Sequence, residues 1–264
     1  MIIKQMNGHS GCNVYLCEKN SKKYVRKTSS SIGYNSRLKK QMEKQSSFAH
    51  DVLLSPEIYK YGYINGLFYF DMQFIRGVPM HNYVSLNSSN NIIPIVDKVF
   101  SFLQNLSLRK EDITDKIHLK LSSLNTSIPA GMSKYSDYCA AYDWSSVAAS
   151  DNHGDLTFEN ILIYRNKIYL IDFLDSFVQT KYIDYAKLLQ DIVLDWSWRH
   201  NMNKPLIKTI YLYNRMLQML SPKEIEITKR LLILNLLRIV PYSNDSTFKY
   251  LENRLNYLSG IYGI

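Results

Sequence analysis

Strand signals, runs with β-branched and aromatic residues, fall at residues 14–18 and 23–27, and two further strands lie around the turn at Ile64-Asn65-Gly66, the second running through residues 68–75. Runs of this kind, with side chains laid alternately on two faces, mark half-buried strands. In this part of the chain only residues 36–49 carry helical spacing, so the first segment predicts a small antiparallel sheet with one helix. Beyond Gly77-Val78-Pro79 the period lengthens to that of helices, over residues 92–106, 133–146, 183–198, 205–220, 222–239 and 247–258. One hairpin interrupts them, with apolar runs 161–164 and 168–171 flanking Arg165-Asn166-Lys167. Ser- and Asn-rich stretches at 28–31 and 87–91 read as loops, and there is no internal repeat or long low-complexity linker. The expectation is an α+β chain of two lobes: residues 1–77, mainly sheet, and residues 78–264, mainly helical.

The predicted hairpin sets Asn160 at one strand's start and Asp172 at the other strand's end, which brings the two to the same side of the turn. They belong to two short segments: His153-Gly154-Asp155-Leu156-Thr157-Phe158-Glu159-Asn160 before the hairpin, Ile171-Asp172-Phe173-Leu174-Asp175 closing it. A loop Asp, an Asn five residues on and a second Asp after a hairpin supply a base for a hydroxyl and two oxygen ligands for Mg²⁺. That order is the kinase template of catalytic loop followed by metal-binding strand. Asp155 is the candidate base, and Asn160 and Asp172 are the candidate metal ligands. His153 is read as structural, tying the loop to the segment around Asp172, and Asp184 as a helix-start residue bonding back to the catalytic loop. Asp175 reads as a further ligand or as a cap.

The first segment is expected to grip the nucleotide. Gly8 and Gly11, within Asn7-Gly8-His9-Ser10-Gly11-Cys12-Asn13, would let backbone approach phosphate oxygens, although a plain hairpin turn also explains them. Lys27 ends a strand where the template sets its phosphate lysine, and Glu43 on the following helix is its expected partner. Strand alternation turns only one of Arg26 and Lys27 toward the cleft, and Lys27 is favoured.

Charge refines this picture. The net charge is +9, but residues 1–50 carry ten Lys/Arg against two Asp/Glu, and 199–264 carry ten against four, leaving an acidic middle that holds the proposed metal site. Without a zinc finger, an aromatic RNA-binding motif or a continuous basic run, nucleic acid is disfavoured as a partner. No apolar run reaches the roughly 18 to 20 residues of a membrane helix, so no transmembrane segment is expected, and peripheral membrane contact stays open. The first residues lack the apolar region of a signal peptide. Cys12, Cys17 and Cys139 have no zinc-type pair spacing and suggest no disulfide framework, so a reducing cytoplasm is the expected location.

These residues together resemble the aminoglycoside phosphotransferase and choline kinase family, the small-molecule branch of the protein-kinase-like fold, over nearly the whole chain. The resemblance implies a bilobal fold using ATP and Mg²⁺. It implies a nucleotide loop at residues 8–13, an ion pair of Lys27 with Glu43, and an adenine-contacting hinge at residues 73–76, where Gln73 and Ile75 act through their backbone. Asp155 would be the base, and Asn160 with Asp172 would hold the metal. Departures from the protein-kinase pattern point to a small hydroxyl acceptor. Gly154 stands where protein kinases have an Arg, Leu174 replaces the Gly of Asp-Phe-Gly, and only eleven residues separate Asp172 from Asp184. A sugar or glycan precursor is the preferred acceptor, with choline, ethanolamine or an aminoglycoside as alternatives. A cationic acceptor would want carboxylates or aromatic rings near Asp155, and Asp143, Trp144, Asp191, Asp195, Trp196 and Trp198 lie in plausible segments, although such aromatics are more often core. The rival of another class is a kinase-like binding module without turnover.

Overall fold

The structure is a computed structural model that describes residues 1–6, 11–200 and 204–264. The chain forms two compact units, Met1–Tyr83 with Glu159–Asp175, and Val84–Phe158 with Ser176–Ile264.

In the first unit β1 (Ile2–Met6), β2 (Cys12–Lys19), β3 (Lys22–Ser29), α1 (Asn35–Ser47), β4 (Leu53–Leu54), β5 (Ile58–Ile64), β6 (Leu67–Gln73) and β7 (Val78–Pro79) follow one another. Five of the strands make an antiparallel sheet in the order β1-β2-β3-β6-β5. Its two tight hairpins turn on Asn20-Ser21 and Asn65-Gly66, all four with positive φ, the conformation that matches the twist of paired strands. Cys12, Val25, Phe68, Phe70 and Met72 of the sheet form one core with Leu38 and Met42 of α1. β1 escapes the sequence pattern because it is exposed along its whole length, so no alternation of burial shapes its composition.

The chain continues through α2 (Met80–Leu86), α3 (Ser89–Gln104), β8 (Leu108–Arg109), α4 (Thr114–Asn125), α5 (Ser133–Ala140) and β9 (Ala149–Ser150). α3 starts inside the stretch read as a loop, with Ser88 in extended conformation at its N-cap. β10 (Ile161–Tyr164) and β11 (Lys167–Leu170) are the expected hairpin, closed by Arg165 and Asn166 alone, both with positive φ. The hairpin belongs to the first unit, in a four-stranded sheet of order β4-β11-β10-β7. A Cβ on Gly77 would lie 2.7 Å from Leu162 Cβ, so this close approach before β7 requires glycine.

The second unit is completed by α6 (Lys181–Ile192), α7 (Leu206–Met219), α8 (Pro222–Leu237) and α9 (Asp245–Tyr262). α6 is its axis. Every one of its residues is buried, and it packs against α3, α7 and α8. The helix expected through 198 stops at Ile192, because Asp195 takes a left-handed φ of 65° and Trp196–Trp198 forms a separate 3-10 turn. No helix of the described residues is long and apolar enough to cross a membrane. The three cysteines are free and buried.

Candidate active site

The residues singled out by the sequence fall into two clusters, one in each unit. In the first, Lys27 sits on the same face of β3 as Val25 and Ser29, is 3% exposed, and forms an ion pair with Asp172. Arg26 faces the other way, holding Asp71 with a two-pronged bond (2.6 and 2.8 Å) and lying over the Tyr69 ring at 4.5 Å. Ile171 N–H donates to Asn160 O at 3.0 Å, extending the hairpin ladder by one rung and setting Asn160 opposite the residue that leads into Asp172. Asn160 is buried, whereas the Asp172 side chain is 38% exposed and its backbone turns through φ 62°. Such a left-handed turn is tolerated by Asp better than by most side chains, and it redirects the chain at the hairpin's exit. α1 secures the residues after this turn: Lys44 Nζ donates to Leu174 O at 2.7 Å, Phe48 packs on Phe173, and Lys40 lies 3.4 Å from Asp175.

The expected ion pair of Lys27 with Glu43 is not formed. Leu38, Gln41, Met42 and Gln45 make the buried stripe of α1, and at 100° per residue Glu43 points roughly 150° away from it. Glu43 is accordingly exposed and faces Lys39 at 3.9 Å. Gly8 lies outside the described residues. Gly11 has φ 60°, its carbonyl accepts from Ser30, and a Cβ there would come within 2.8 Å of the Tyr34 ring. Gln73 ends β6 with its N–H donating to Glu57 O, and Ile75 is buried; residues 73–76 line a cavity of about 270 Å³ with Ser21, Lys23 and Tyr164.

The second cluster surrounds Asp155. Its loop is pinned through backbone N–H groups by carboxylates from α6. Asp184 accepts from His153 N at 2.6 Å and Gly154 N at 2.8 Å, and Asp191 accepts from Phe158 N at 2.5 Å and Ser197 N at 2.7 Å. Both carboxylates are fully buried, so each charge is offset by two charge-assisted hydrogen bonds. Asp184 thus bonds back to the loop as its position suggested, and Asp191 is engaged by two backbone N–H groups. His153 is buried, and its Nδ1 accepts from Asp155 N–H at 3.3 Å.

The sequence pattern did not single out Lys187. Its Nζ lies 3.0 Å from Asp155 Oδ1, with the lysine side chain 10% and the aspartate side chain 25% exposed. Burial pushes the Asp155 carboxyl up, but Lys187, by charge and hydrogen bond, and then His153 and Arg238 outweigh it and hold the carboxyl below its ordinary value. Because α6 is buried all round, no amphipathic pattern distinguishes the face that carries Lys187. The available signal was a lone lysine inside Tyr185-Ala186-Lys187-Leu188-Leu189, since a buried lysine needs a partner.

The fold so defined is that of the protein-kinase-like small-molecule kinases. Among solved structures it is shared with aminoglycoside phosphotransferase APH(4)-Ia, described as a ternary complex with ADP and hygromycin B, at a TM-score of 0.70 and 15% identity, covering 97% of this chain and 92% of that one. It is shared also with choline kinase LicA from Streptococcus pneumoniae, at a TM-score of 0.63 and 17% identity over 98% and 95% of the two chains. APH(2")-IIa in a streptomycin–ATP ternary complex matches at 0.59 and 14% identity, over 96% and 90%. No protein-family model and no curated protein matches the sequence.

Proposed function

We propose that this chain is an ATP-dependent phosphotransferase that moves the γ-phosphoryl group to a hydroxyl of a small molecule, with a sugar or glycan precursor as acceptor. The observation that carries this reading is Asp155 itself: a carboxylate kept ionised by Lys187, partly open to solvent, on a loop fixed by two buried carboxylates. A group so held is suited to orient an acceptor hydroxyl and take its proton as the bond to phosphorus forms. The loop's stiffness supports the role, because an attacking hydroxyl must be held to a fraction of an ångström.

Asn160 and Asp172 would hold Mg²⁺. The donor set fits: a neutral carbonyl oxygen and a half-exposed carboxylate are hard ligands, and Mg²⁺ takes its remaining ligands from water and phosphate. The metal supplies charge neutralisation on the phosphate oxygens. Lys27 and residues 73–76, Gln73 and Ile75 among them, are the proposed contacts for the nucleotide. A small acceptor is supported by the short span from Asp172 to Asp184, which leaves no room for a peptide-docking loop.

Measuring ADP release from Mg-ATP with sugars, amino alcohols and aminoglycosides tests the reading. Transfer to a sugar hydroxyl is the expected result; nucleotide binding without transfer to any acceptor would favour a binding module. In the same assay Asp172→Ala should abolish Mg-dependent nucleotide binding, and unchanged Mg-ATP affinity would overturn the ligand assignment.

A further inference from the structure

The three residues that follow Asp172 are each held by one side chain from α1 or its C-cap. The Phe173 ring packs on Phe48 with centroids 5.2 Å apart, the Leu174 carbonyl accepts from Lys44 Nζ at 2.7 Å, and Asp175 Oδ2 lies 3.4 Å from Lys40 Nζ. Residues 40, 44 and 48 are spaced by four, so they follow one side of the helix, and they meet residues 175, 174 and 173 in reverse order. All of them belong to the first unit. Lys40 and Lys44 each precede an inward-facing glutamine, Gln41 and Gln45, by one residue. They therefore sit about 100° round the helix from those glutamines and reach the segment along the helix flank.

The three contacts differ in kind. The Lys44 bond is charge-assisted and part-buried, and its acceptor is backbone, so it fixes the path of the chain whatever side chain stands at 174. The Lys40–Asp175 pair is open to water, with side chains 61% and 39% exposed, and holds little. Between them and the hairpin lies Asp172, whose φ of 62° is a left-handed turn that a residue other than glycine keeps only where its neighbours hold it. The Ile171-to-Asn160 rung fixes the chain before that turn, and Lys44 fixes it after. One oxygen of Asp172 meets Lys27 and the side chain stays partly exposed, so the direction of the carboxylate follows from how the turn is held.

We propose that Lys44 is a positioning residue of the metal site: its bond to the Leu174 carbonyl holds the turn that directs the Asp172 carboxylate, while Asp175, engaged by Lys40, stays outside the metal's shell. The proposal rests on the phosphotransferase reading through its metal ligands, Asn160 and Asp172, and decides between the two roles the sequence leaves to Asp175. Lys44 acts through backbone, so its loss loosens the site without removing a donor from it.

Two measurements on the full chain test it, neither needing turnover. In the first, ADP binding is followed by calorimetry as free Mg²⁺ is varied. Lys44→Met should raise the Mg²⁺ needed for half-maximal binding roughly tenfold and leave ADP affinity in EDTA unaltered, and Lys44→Arg should recover most of the loss. Asp175→Asn and Lys40→Met should stay within about twofold of the wild type. In the second, amide hydrogen exchange of residues 173–175 in the ligand-free protein should quicken roughly tenfold in Lys44→Met and hold steady in Lys40→Met. Unchanged exchange in Lys44→Met, an unchanged Mg²⁺ requirement, or ADP binding weakened equally with and without Mg²⁺ overturns the proposal. So does a loss of Mg²⁺-dependent binding in Asp175→Asn comparable with that in Asp172→Ala. Where ATP is turned over with no acceptor but the Lys44→Met shift is present, the phosphotransferase reading falls and the positioning role stands. ADP binding by the wild type that ignores Mg²⁺ overturns the ligand assignment and this proposal with it.

Discussion

Each unit pairs one partly exposed aspartate with one buried lysine, Asp172 with Lys27 and Asp155 with Lys187, but the two aspartates are held in different ways. Asp172 comes after a hairpin rung and is steadied from outside by α1, through Lys44 on Leu174 and Phe48 on Phe173. Asp155 rides on a loop whose backbone N–H groups are taken by two carboxylates buried inside the second unit. The first arrangement rests on one lysine-to-carbonyl hydrogen bond and on a ring contact made by the buried Phe173. The second uses desolvated charges whose partners have no substitute. In the proposed roles, the base is thus backed by buried carboxylates and the metal ligand by a hairpin rung and a packed ring.

The largest effect is expected at Asp155, the proposed base. Asp155→Asn keeps the shape and removes the proton acceptor, so turnover should fall on the order of 10² to 10⁴-fold with Mg-ATP affinity nearly unchanged; near-normal turnover would sink the assignment. Next comes its support. Asp184→Ala leaves the N–H groups of His153 and Gly154 buried without acceptors, which should cost about 2 to 4 kcal/mol in denaturant unfolding. A loss below about 0.5 kcal/mol would mean that the loop is held by something else.

The pH dependence sharpens the same contrast. Asp155 has a folded pKa below its ordinary value, first raised by burial and then more strongly lowered by Lys187, His153 and Arg238. Its contribution to stability is therefore present above the unfolded value of about 4 and is lost as pH falls through the lower folded value. Turnover should stay level from neutral pH down to about 5. Lys187→Met removes the strongest opposing charge, so the acid limb of the rate profile should move to higher pH, and Lys187→Arg should move it back. An unmoved limb would show that Lys187 does not act on the base.

Legibility in the sequence divides along the same line. The hairpin, its turn and the Asn160 and Asp172 positions were legible because strand alternation and turn residues act locally. So was the choice of Lys27 over Arg26, which rests on the two faces of one strand. Lys187 was not, because a helix buried on every side has no polar face to mark which residues look inward. Trp196 and Asp191 lie in segments that a cationic acceptor could reach, and the sequence does not show their partners, Arg199 and the Phe158 N–H, within the second unit. α4 and β1 were missed for a related reason, since an exposed strand and a weakly amphipathic helix leave little trace in the pattern.

The smallest expected effect falls on the residue where template and geometry part. The kinase template pairs the β3 lysine with an acid on the next helix, and Glu43 is the acid available there. Yet α1 turns Gln41 and Gln45 inward and Glu43 outward, while Lys27 finds its counter-charge in Asp172 on the hairpin side of the same unit. A lysine already neutralised within the unit needs no second acid, and a solvated i,i+4 contact at 3.9 Å with Lys39 stabilises little. Glu43→Gln should therefore change stability by less than about 0.5 kcal/mol and leave Mg-ATP affinity unaltered. A large loss of nucleotide affinity in that variant would mean that α1 rotates when nucleotide binds, and that the pairing of Lys27 with Asp172 gives way to the one the template describes.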